Sequence, residues 1–361
     1  MKHRISALSA ALLLAAASLS AQINATGTFK GVVYDSSHAV VPNAEVSLVN
    51  SATGFKRVAN TGGSGEYSLN LVPADSYQFT VKATGFTTAQ FSKVDLQVGL
   101  STQLDVTLTA GAQTETVTVT TEASQIDTAK TEVSMAVTPA DVQSLPLNGR
   151  DFANLAFLVP GVKPVNSYDP TKNRVAVFAT NGSSGRNVNV TINGIDDKDN
   201  SVGGPVMQMP LEAVEEFSIS TQRFSAANGR TSGSAVNLIT KSGTNVLHGS
   251  LFLSERDKSL NANDYFSKQS NQPKSPFSRQ QYGGSIGAPI KKDKTFAFFA
   301  LERTREVTEL TVNANAKKEL PLAAPLGAVP TSTIATPFNE QRWNARVDHR
   351  FSPGQSLFGV A

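Results

Sequence analysis

The feature that most constrains the fold of this chain is an alternation of apolar and polar residues with a period of two. It recurs in four short segments between residues 45 and 108. In one of them Tyr77, Phe79 and Val81 are each followed by a polar residue. This period places apolar side chains on one face of a β-strand and polar side chains on the other. The chain is therefore predicted to be mainly β, with half-buried strands.

Composition supports an exported β-rich protein and excludes several classes of function. Charged residues make up 17% of the 361 residues, below the roughly 25% of an average soluble domain. The net charge of +3 excludes a strongly basic nucleic-acid-binding protein. The absence of cysteine excludes a disulfide framework, a cysteine zinc site and thiol catalysis. The four histidines are widely scattered, so we predict no metal site and no cofactor.

Residues 1–21 have the pattern of a secretory signal peptide. A basic head at residues 2–4 precedes the uncharged, Ala- and Leu-rich stretch 5–19, and small residues follow up to Ala21. The alternative is an uncleaved membrane anchor, but the apolar stretch is shorter than the roughly 20 residues that a helical span needs. We therefore expect export and cleavage near Ala21.

Residues 22–110 are predicted to form a small immunoglobulin-like β-sandwich. Turn residues such as Pro42-Asn43 separate the alternating segments, and two amphipathic sheets can bury each other's apolar faces. The segments 31–35, 41–46, 65–67 and 77–86 resemble the carboxypeptidase regulatory-like domain. The family name is no evidence of peptidase activity, and a folding or spacer module is the preferred interpretation. A carbohydrate-binding role is the alternative, although the tyrosines of these segments suit core positions better than an exposed sugar platform.

Residues 111–125 are predicted to form an extended connector. Val117 and Val119 alternate with threonine, a composition that favours a strand, and such a strand can pair with the edge of another protein's sheet. A plain linker and a last strand of the sandwich are the alternatives. The segment resembles the TonB box of outer-membrane receptors. That resemblance implies contact with TonB through Glu115, Thr116, Val117, Thr118, Val119 and Thr120.

Residues 126–245 are predicted to form a small α+β domain. Thr138-Pro139 suits the start of a helix, and residues 152–159 carry an apolar helical stripe. Asn193-Gly194 follows a clean strand and predicts a hairpin turn. The acidic run 196–199 lacks the glycine and distal glutamate of a calcium-binding loop, so a solvated loop is preferred.

Three motifs in this domain resemble, in order, the plug domain of TonB-dependent receptors. They are Leu-Pro-Leu-Asn-Gly-Arg at 145–150, the segment 188–196 and the segment 229–245. The similarity is closest to the Oar-like branch, which carries an N-terminal regulatory-like module. The plug residues implied by the resemblance are Asn148, Gly149, Arg150, Asn193, Gly194, Asp196, Gly229 and Arg230.

Residues 246–361 alternate between strands, long connectors and short turns. Strands are predicted at 247–255, 280–288, 295–303, 341–350 and from Gln355 onward. Long external loops, short periplasmic turns and strands with one apolar face are typical of outer-membrane barrels. Because the smallest barrels have eight strands, these five predict only the first part of a barrel in a truncated chain. The alternative is a soluble all-β domain.

The leading hypothesis is a TonB-dependent outer-membrane receptor whose sandwich lies in the periplasm. Its expected partners are TonB with its inner-membrane energising complex, outer-membrane lipid and an unidentified transported ligand, and no nucleic acid. The alternative is a secreted or surface β-sandwich adhesin that binds carbohydrate. A hydrolase is disfavoured, because Gly283-Gly-Ser-Ile-Gly287 sits in a strand pattern without the turn, histidine and acid that the chemistry needs. No catalytic residue is predicted.

Overall fold

A computed structural model of the chain shows three successive units. The predicted signal peptide, Glu115 and Thr120 lie outside the described residues. The structure describes residues 26–98, 101–111, 116–119, 132–137, 139–145, 147–165, 177–224, 226, 228–263, 265–269, 271, 274–312, 314–329, 331, 333–352 and 355–361.

The first unit is a two-sheet β-sandwich, as predicted. Its strands are β1 (Thr26–Asp35), β2 (Glu45–Asn50), β3 (Phe55–Asn60), β4 (Glu66–Pro73), β5 (Asp75–Lys82), β6 (Thr88–Leu96), β7 (Ser101–Gln103), β8 (Val106–Leu108) and β9 (Thr116–Val119). One sheet has β1 between β4 and β7, with β8 also paired to β1; the other has the order β3-β2-β5-β6-β9. The alternating apolar positions of both sheets face each other, which explains why the pattern is so regular.

Aromatic side chains fill the centre of the sandwich. Phe79 is fully buried and contacts the rings of Phe29, Tyr67 and Phe91 at centroid distances of 5.7–6.3 Å. Such tilted and edge-on ring pairs stabilise a core by about 0.5–1.5 kcal/mol each beyond their buried area. Tyr67 and Tyr77 are therefore buried core residues, as the sequence predicted. The same prediction is wrong for Tyr34, which is only half-buried and lies outside this core.

Two details of the sandwich differ from the sequence prediction. The alternating segment 104–108 is not part of one continuous strand. Two separate strands, β7 and β8, pair one after the other with β1. At the break, the Asp105 carboxylate accepts the backbone N–H of Val32 at 2.9 Å. The predicted connector contains β9, which pairs in parallel with β6 over four residues. Of the alternatives open for that segment, this is the last strand of the sandwich.

The second unit, called here the middle domain, is a small α+β fold. Its elements are β10 (Val133–Val137), α1 (Pro139–Ser144), β11 (Val162–Pro164), β12 (Phe178–Thr180), β13 (Val188–Ile192), β14 (Ile195–Asp196), β15 (Val214–Gln222) and β16 (Ser234–Thr240). The main sheet has the order β10-β15-β16-β13-β14. Asn193 and Gly194 make the predicted hairpin turn with φ angles of 51° and 81°.

The apolar stripe at residues 152–159 forms a 3₁₀-helix, Phe152–Leu158, and not the α-helix its spacing indicated. Its N-cap is Asp151, whose buried carboxylate accepts the Ala153 N–H at 2.9 Å. Further short 3₁₀-helices lie at Asn148–Arg150, Gly185–Asn187 and Leu211–Ala213. Phe152 and Leu155 pack with Phe217 into a core that covers one face of the sheet.

The third unit is a sheet of long strands, called here the C-terminal sheet. Its elements are β17 (His248–Asp257), α2 (Tyr265–Gln269), β18 (Phe277–Lys291), β19 (Thr295–Thr311), α3 (Ala314–Glu319), β20 (Thr333–Ala335), β21 (Phe338–Ser352) and β22 (Gln355–Val360). Short 3₁₀-helices lie at Lys258–Leu260 and Leu320–Leu326. The order is β17-β18-β19-β21-β22, all antiparallel, with β20 paired to β19.

The long and short connections of this sheet follow the predicted rhythm, but its strands are longer than predicted. β19 runs to Thr311, because β18 pairs with it as far as Thr308 and β20 pairs with its last residues, Glu309 to Thr311. Within the described residues, no helix is long and apolar enough to cross a bilayer.

Candidate functional site

The C-terminal sheet presents two chemically different faces. Along β19, Phe296, Phe298 and Ala300 are followed on the same buried face by Glu302, Thr304 and Glu306. The opposite face carries large apolar side chains that are exposed, among them Leu251, Leu253, Ile286, Phe299, Trp343 and Val347. The run 296–301 interrupts the alternation in the sequence because it is apolar on both faces of the strand. Its buried face is apolar because Phe298 and Ala300 pack against Ala213 of the middle domain.

Arg150 joins the middle domain to the polar face of this sheet. Its Nε lies 3.2 Å from Glu302 Oε2, and its Nη2 lies 2.9 Å from Glu212 Oε1. Its guanidinium carbon stands 3.8 Å from the centre of the Phe252 ring. Gly283 pairs with both Phe252 and Glu302 in the sheet register. Because Gly283 has no side chain, nothing separates Phe252 from Glu302 on this face, and the Arg150 guanidinium can reach both residues.

The two residues before Arg150 contact the same face. Asn148 Oδ1 accepts hydrogen bonds from Arg279 Nη1 at 3.0 Å and from Arg256 Nη1 at 3.3 Å. The Gly149 carbonyl oxygen accepts from Gln281 Nε2 at 3.2 Å. Gly149 has a φ of 70°, a left-handed conformation that glycine adopts without the usual steric cost. The turn it permits places all three residues of the Asn-Gly-Arg motif against the sheet.

A second contact to the sheet forms around Asn193. This buried amide exchanges hydrogen bonds with Thr240: its Nδ2 donates to Oγ1 at 2.9 Å, and its Oδ1 accepts the Thr240 N–H at 3.0 Å. The Thr240 carbonyl in turn accepts from Arg346 Nη1 at 2.6 Å. Arg346 pairs with Asp348 at 2.8 Å on the same strand. Asn193 therefore connects the hairpin turn to the end of β16 at the place where Arg346 docks.

The remaining predicted residues form a separate group at the surface of the middle domain. Arg230 makes an ion pair with Asp196, and its Nη2 donates to Asn200 Oδ1 at 2.7 Å. Gly229 has open space around its α-carbon. Both charged side chains are substantially exposed, so this pair contributes little to stability.

The expectation that the whole acidic run is solvated is wrong for Asp197. Its side chain is only 4% exposed, and its Oδ1 accepts the Met207 N–H at 2.8 Å. Its Oδ2 is buried without a hydrogen-bond partner among the described residues. Burial raises the pKa of Asp197 to about 6, and the neighbouring Asp196 charge acts in the same direction. The hydrogen bond from the Met207 N–H acts in the opposite direction and lowers the pKa. No group of three or more His, Asp or Glu side chains among the described residues is placed to hold a metal ion.

The segment expected to contact TonB lies at the edge of the sandwich. Thr116–Val119 forms β9, whose register pairs Thr88 with Thr116 and Phe91 with Val119. Within the described residues, β9 is the last strand of its sheet. A strand in this position has one row of backbone groups available for another strand.

Sequence reasoning missed the partners that the sheet contributes to the Arg150 contact. Glu302, Arg279 and Arg342 lie on strands more than 120 residues from Arg150, and Arg342 Nη1 donates to the Arg150 carbonyl at 3.2 Å. One signal was available in the sequence. Glu302 and Glu306 fall at the positions of β19 that continue the face of Phe296 and Phe298, and charged residues in such a row need buried partners.

Comparisons with family models match the first and the third unit of the chain. Residues 28–109 match the carboxypeptidase regulatory-like domain, and residues 239–324 match an outer membrane beta barrel domain. The chain thus contains a regulatory-like sandwich followed, after the middle domain, by a region of outer-membrane barrel type. Neither match covers half of the chain.

Three similar proteins are a TonB-dependent transporter, an outer membrane transporter and a siderophore receptor. The chain is 24% identical over 314 residues to the TonB-dependent transporter Oar of Myxococcus xanthus, a match that covers 82% of this chain and 28% of that protein. The structure of the outer membrane transporter YddB from Escherichia coli aligns with 61% of this chain and 31% of its own, with 12% identity and a TM-score of 0.45. The siderophore receptor PirA from Acinetobacter baumannii aligns with 62% and 30%, with 19% identity and a TM-score of 0.42. The chain spans less than a third of the length of each.

Proposed function

We propose that this chain works as part of a TonB-dependent outer-membrane transporter. The C-terminal sheet forms part of the wall of a membrane barrel, the middle domain is the plug, and the sandwich lies in the periplasm. TonB, driven by its inner-membrane energising complex, pulls on the segment 115–120 and thereby opens a path for a ligand. The similarity to a TonB-dependent transporter over most of the chain supports this assignment.

The observation that carries the proposal is the difference between the two faces of the C-terminal sheet. One face is polar and is bonded to the middle domain through Arg150, Asn148 and Thr240. The other exposes Leu251 at 92% and Leu253 at 74%. In water such a face favours aggregation, whereas in a bilayer it is the face that contacts lipid. A soluble adhesin, the alternative function, leaves this apolar face unexplained.

The position of β9 supports the role of TonB. In a strand paired in parallel, successive residues direct their N–H and C=O groups to opposite sides. Of Val117 and Thr118, one therefore bonds to β6 and the other faces the outer edge of the sheet. A strand of TonB added at that edge would bond to the second set.

The proposal is tested by proline substitutions in β9 of the full protein, followed by capture on purified TonB. Proline removes a backbone donor, so at least one of Val117→Pro and Thr118→Pro should reduce capture tenfold or more. Val117→Thr is the control, because it keeps the donor and the strand propensity. Capture of both proline variants at the level of the unaltered protein would refute the TonB contact.

Location is tested separately by fractionating cells of the source organism with an antibody against residues 26–98. The proposal predicts that the protein is found in the outer membrane and requires detergent for extraction. Recovery in the aqueous periplasmic or secreted fraction would refute the transporter and favour the adhesin.

A further inference from the structure

The sandwich contacts both of the other units, at two separate places. The first contact joins the turn between β2 and β3 to the end of the C-terminal sheet where its connections are short. The second joins the chain just after β6 to strand β15 of the middle domain. We propose that the sandwich is a latch: docked, it fastens the middle domain to the sheet, and tension on β9 releases it. The release step rests on the proposed function, while the docked state does not.

The first contact is built around Arg350 and Asp293. The Arg350 guanidinium carbon lies 5.3 Å from the centre of the Phe55 ring. Its Nη1 donates to the Thr53 carbonyl at 3.4 Å and to the Asp293 carbonyl at 3.3 Å. Arg350 thus lies on a strand of the C-terminal sheet. It contacts the turn that precedes β3 of the sandwich and the first residue of β3.

Asn245 completes this contact from the junction between the middle domain and the sheet. Its backbone N–H donates to the Ala52 carbonyl at 2.8 Å. Its side chain bonds twice to Asp293: Nδ2 donates to Oδ1 at 2.7 Å, and Oδ1 accepts the Asp293 N–H at 2.8 Å. The backbone of Gly54 lies against the same carboxylate, so closely that a Cβ at this position would overlap Asp293 Oδ1. Three short segments from the three units meet here.

The second contact uses the carboxylate of Glu216. This side chain is buried, with 6% of the residue exposed, and lies on β15, between β10 and β16 in its sheet. Both of its oxygens accept the backbone N–H of Val98, at 3.0 and 3.2 Å. A hydrogen bond to a charged acceptor is stronger than one between neutral groups. Val98 is itself buried, so the contact is shielded from water.

The topology connects β9 to this second contact. β9 is bonded along its length to β6, and β6 ends at Leu96, two residues before Val98. A force that draws β9 away from the molecule therefore acts on β6 and reaches the Val98–Glu216 bond through two residues of chain. Because the sandwich bridges the middle domain and the sheet, breaking this bond frees the middle domain from one of its attachments.

The absence of cysteine from the chain allows a direct test in the full protein in its own outer membrane. The double variant Gly54→Cys with Asp293→Cys places one thiol on each side of the first contact. A Cβ built at Gly54 lies 3.3 Å from Asp293 Cβ, close to the roughly 3.5–4.5 Å of disulfides. After brief oxidation with copper phenanthroline, free thiols are counted by the gel shift that a polyethylene glycol maleimide produces.

The latch predicts that most molecules crosslink when the proton gradient is collapsed by an uncoupler, and that at least twofold fewer crosslink in energised cells. Ser47→Cys with Val58→Cys is the control pair, because these residues are paired within the sandwich and should crosslink equally in both conditions. Because Asp293→Cys removes a carboxylate of the contact, absence of the 54–293 crosslink in both conditions would overturn docking if Val98 and Asn245 of the unaltered protein are also unprotected from deuterium exchange. Equal yields in both conditions would overturn release by TonB.

A third set of variants tests whether the two contacts act together. Glu216→Ala should reduce the 54–293 crosslink at least twofold without energy, whereas Glu215→Ala, one residue away, should not. An unchanged yield in Glu216→Ala would show two independent contacts and overturn the latch.

A measurement on the unaltered protein covers the case in which the cysteine pair does not fold. The N–H groups of Val98 and Asn245 should exchange with deuterium at least tenfold more slowly than in an unfolded chain. Unprotected exchange at both would overturn docking. Loss of TonB capture with normal crosslinking would instead count against the proposed function alone.

Discussion

Arg150 joins the middle domain to the C-terminal sheet through several contacts at once. It bonds to Glu302 on β19 and to Glu212 of the middle domain, and it covers the ring of Phe252 on β17. Glu302 is fully buried by this arrangement. A buried carboxylate is tolerated when its partner is present and is costly when the partner is removed.

Substitution of Arg150 should therefore weaken the attachment of the middle domain. We expect Arg150→Ala to cost about 3 kcal/mol, because it leaves Glu302 buried without its nearest cation. The measurement is the urea concentration at which the middle domain becomes sensitive to protease. Arg230→Ala is a matched control: both arginines have a positive φ and an ion pair, but the Arg230 pair is exposed and should contribute less than about 1 kcal/mol. Equal losses would contradict the role given to Arg150.

Asp197 shows the opposite case, a buried carboxylate without a cation partner in the part of the chain that the structure describes. Its pKa is raised to about 6 in the folded protein, so the unfolded chain, with an ordinary pKa near 3.9, loses its proton first as the pH rises. The stability of the folded state must then fall between about pH 4 and pH 6 and remain lower above pH 6.

Asp197→Asn should remove this dependence and keep the acceptor for the Met207 N–H. We expect a gain of about 2 kcal/mol in the free energy of unfolding at pH 7.5 and almost none below pH 4. Urea titrations followed by circular dichroism at the two pH values would measure it. Asp196→Asn, at the exposed neighbour whose charge is a smaller cause of the raised pKa than burial, should leave most of the pH dependence in place. A pH-independent effect of Asp197→Asn would contradict the assignment.

At the level of elements, β1 holds the first sheet of the sandwich together. It pairs with β4 on one side and with β7 and then β8 on the other. Gly31 lies between the part of β1 that pairs with β7 and the part that pairs with β8. A Cβ at Gly31 would overlap the Leu104 carbonyl oxygen. The close approach of the two backbones is possible because glycine has no side chain.

Gly31→Ala should therefore destabilise the sandwich even though it adds a single methyl group. We expect a loss of about 3 kcal/mol, since the obstacle is backbone that cannot rotate away. Gly63→Ala is the control within the same unit, because nothing lies within 4 Å of its added Cβ. The midpoint of thermal unfolding, with antibody binding to the sandwich as a second readout, would distinguish them. Similar midpoints for the two variants would contradict the packing described for β1.

At the level of the whole molecule, the C-terminal sheet separates two environments. The middle domain covers its polar face, and the apolar side chains of the other face remain exposed. A substitution on that outer face therefore reports whether water or lipid surrounds it.

Leu251→Arg places a charge in the middle of β17 on the outer face, where Leu251 is 92% exposed. If this face contacts lipid, the folded protein should lose about 2–4 kcal/mol of stability in membranes. The yield of folded protein assembled into lipid vesicles would measure the loss. Leu260→Arg is the control, because Leu260 is 81% exposed but lies in a 3₁₀-helix of a long connection. Equal yields of the two variants would indicate that the outer face is in water.

The local pattern of the sequence determined the elements and their faces. Period-two alternation placed Tyr77 and Phe79 in the core, and Asn193-Gly194 specified a turn, because these features depend on neighbours within a few residues. The Asn-Gly-Arg motif at 148–150 was singled out by a family resemblance and not by local pattern, and its role in a plug stays a prediction. The sequence predicted the ends of strands less accurately, because a strand such as β19 continues for as long as partner strands pair with it.

Only the tertiary structure decided which distant residues meet. Glu302 became the partner of Arg150 through the register of β17, β18 and β19, and Arg350 came to lie on Phe55 although nearly 300 residues separate them. The pairing of β9 with β6 is of the same kind, because valine and threonine favour a strand but do not specify which strand, if any, it pairs with. Such contacts depend on the positions of whole sheets, and a local pattern carries no information about those positions.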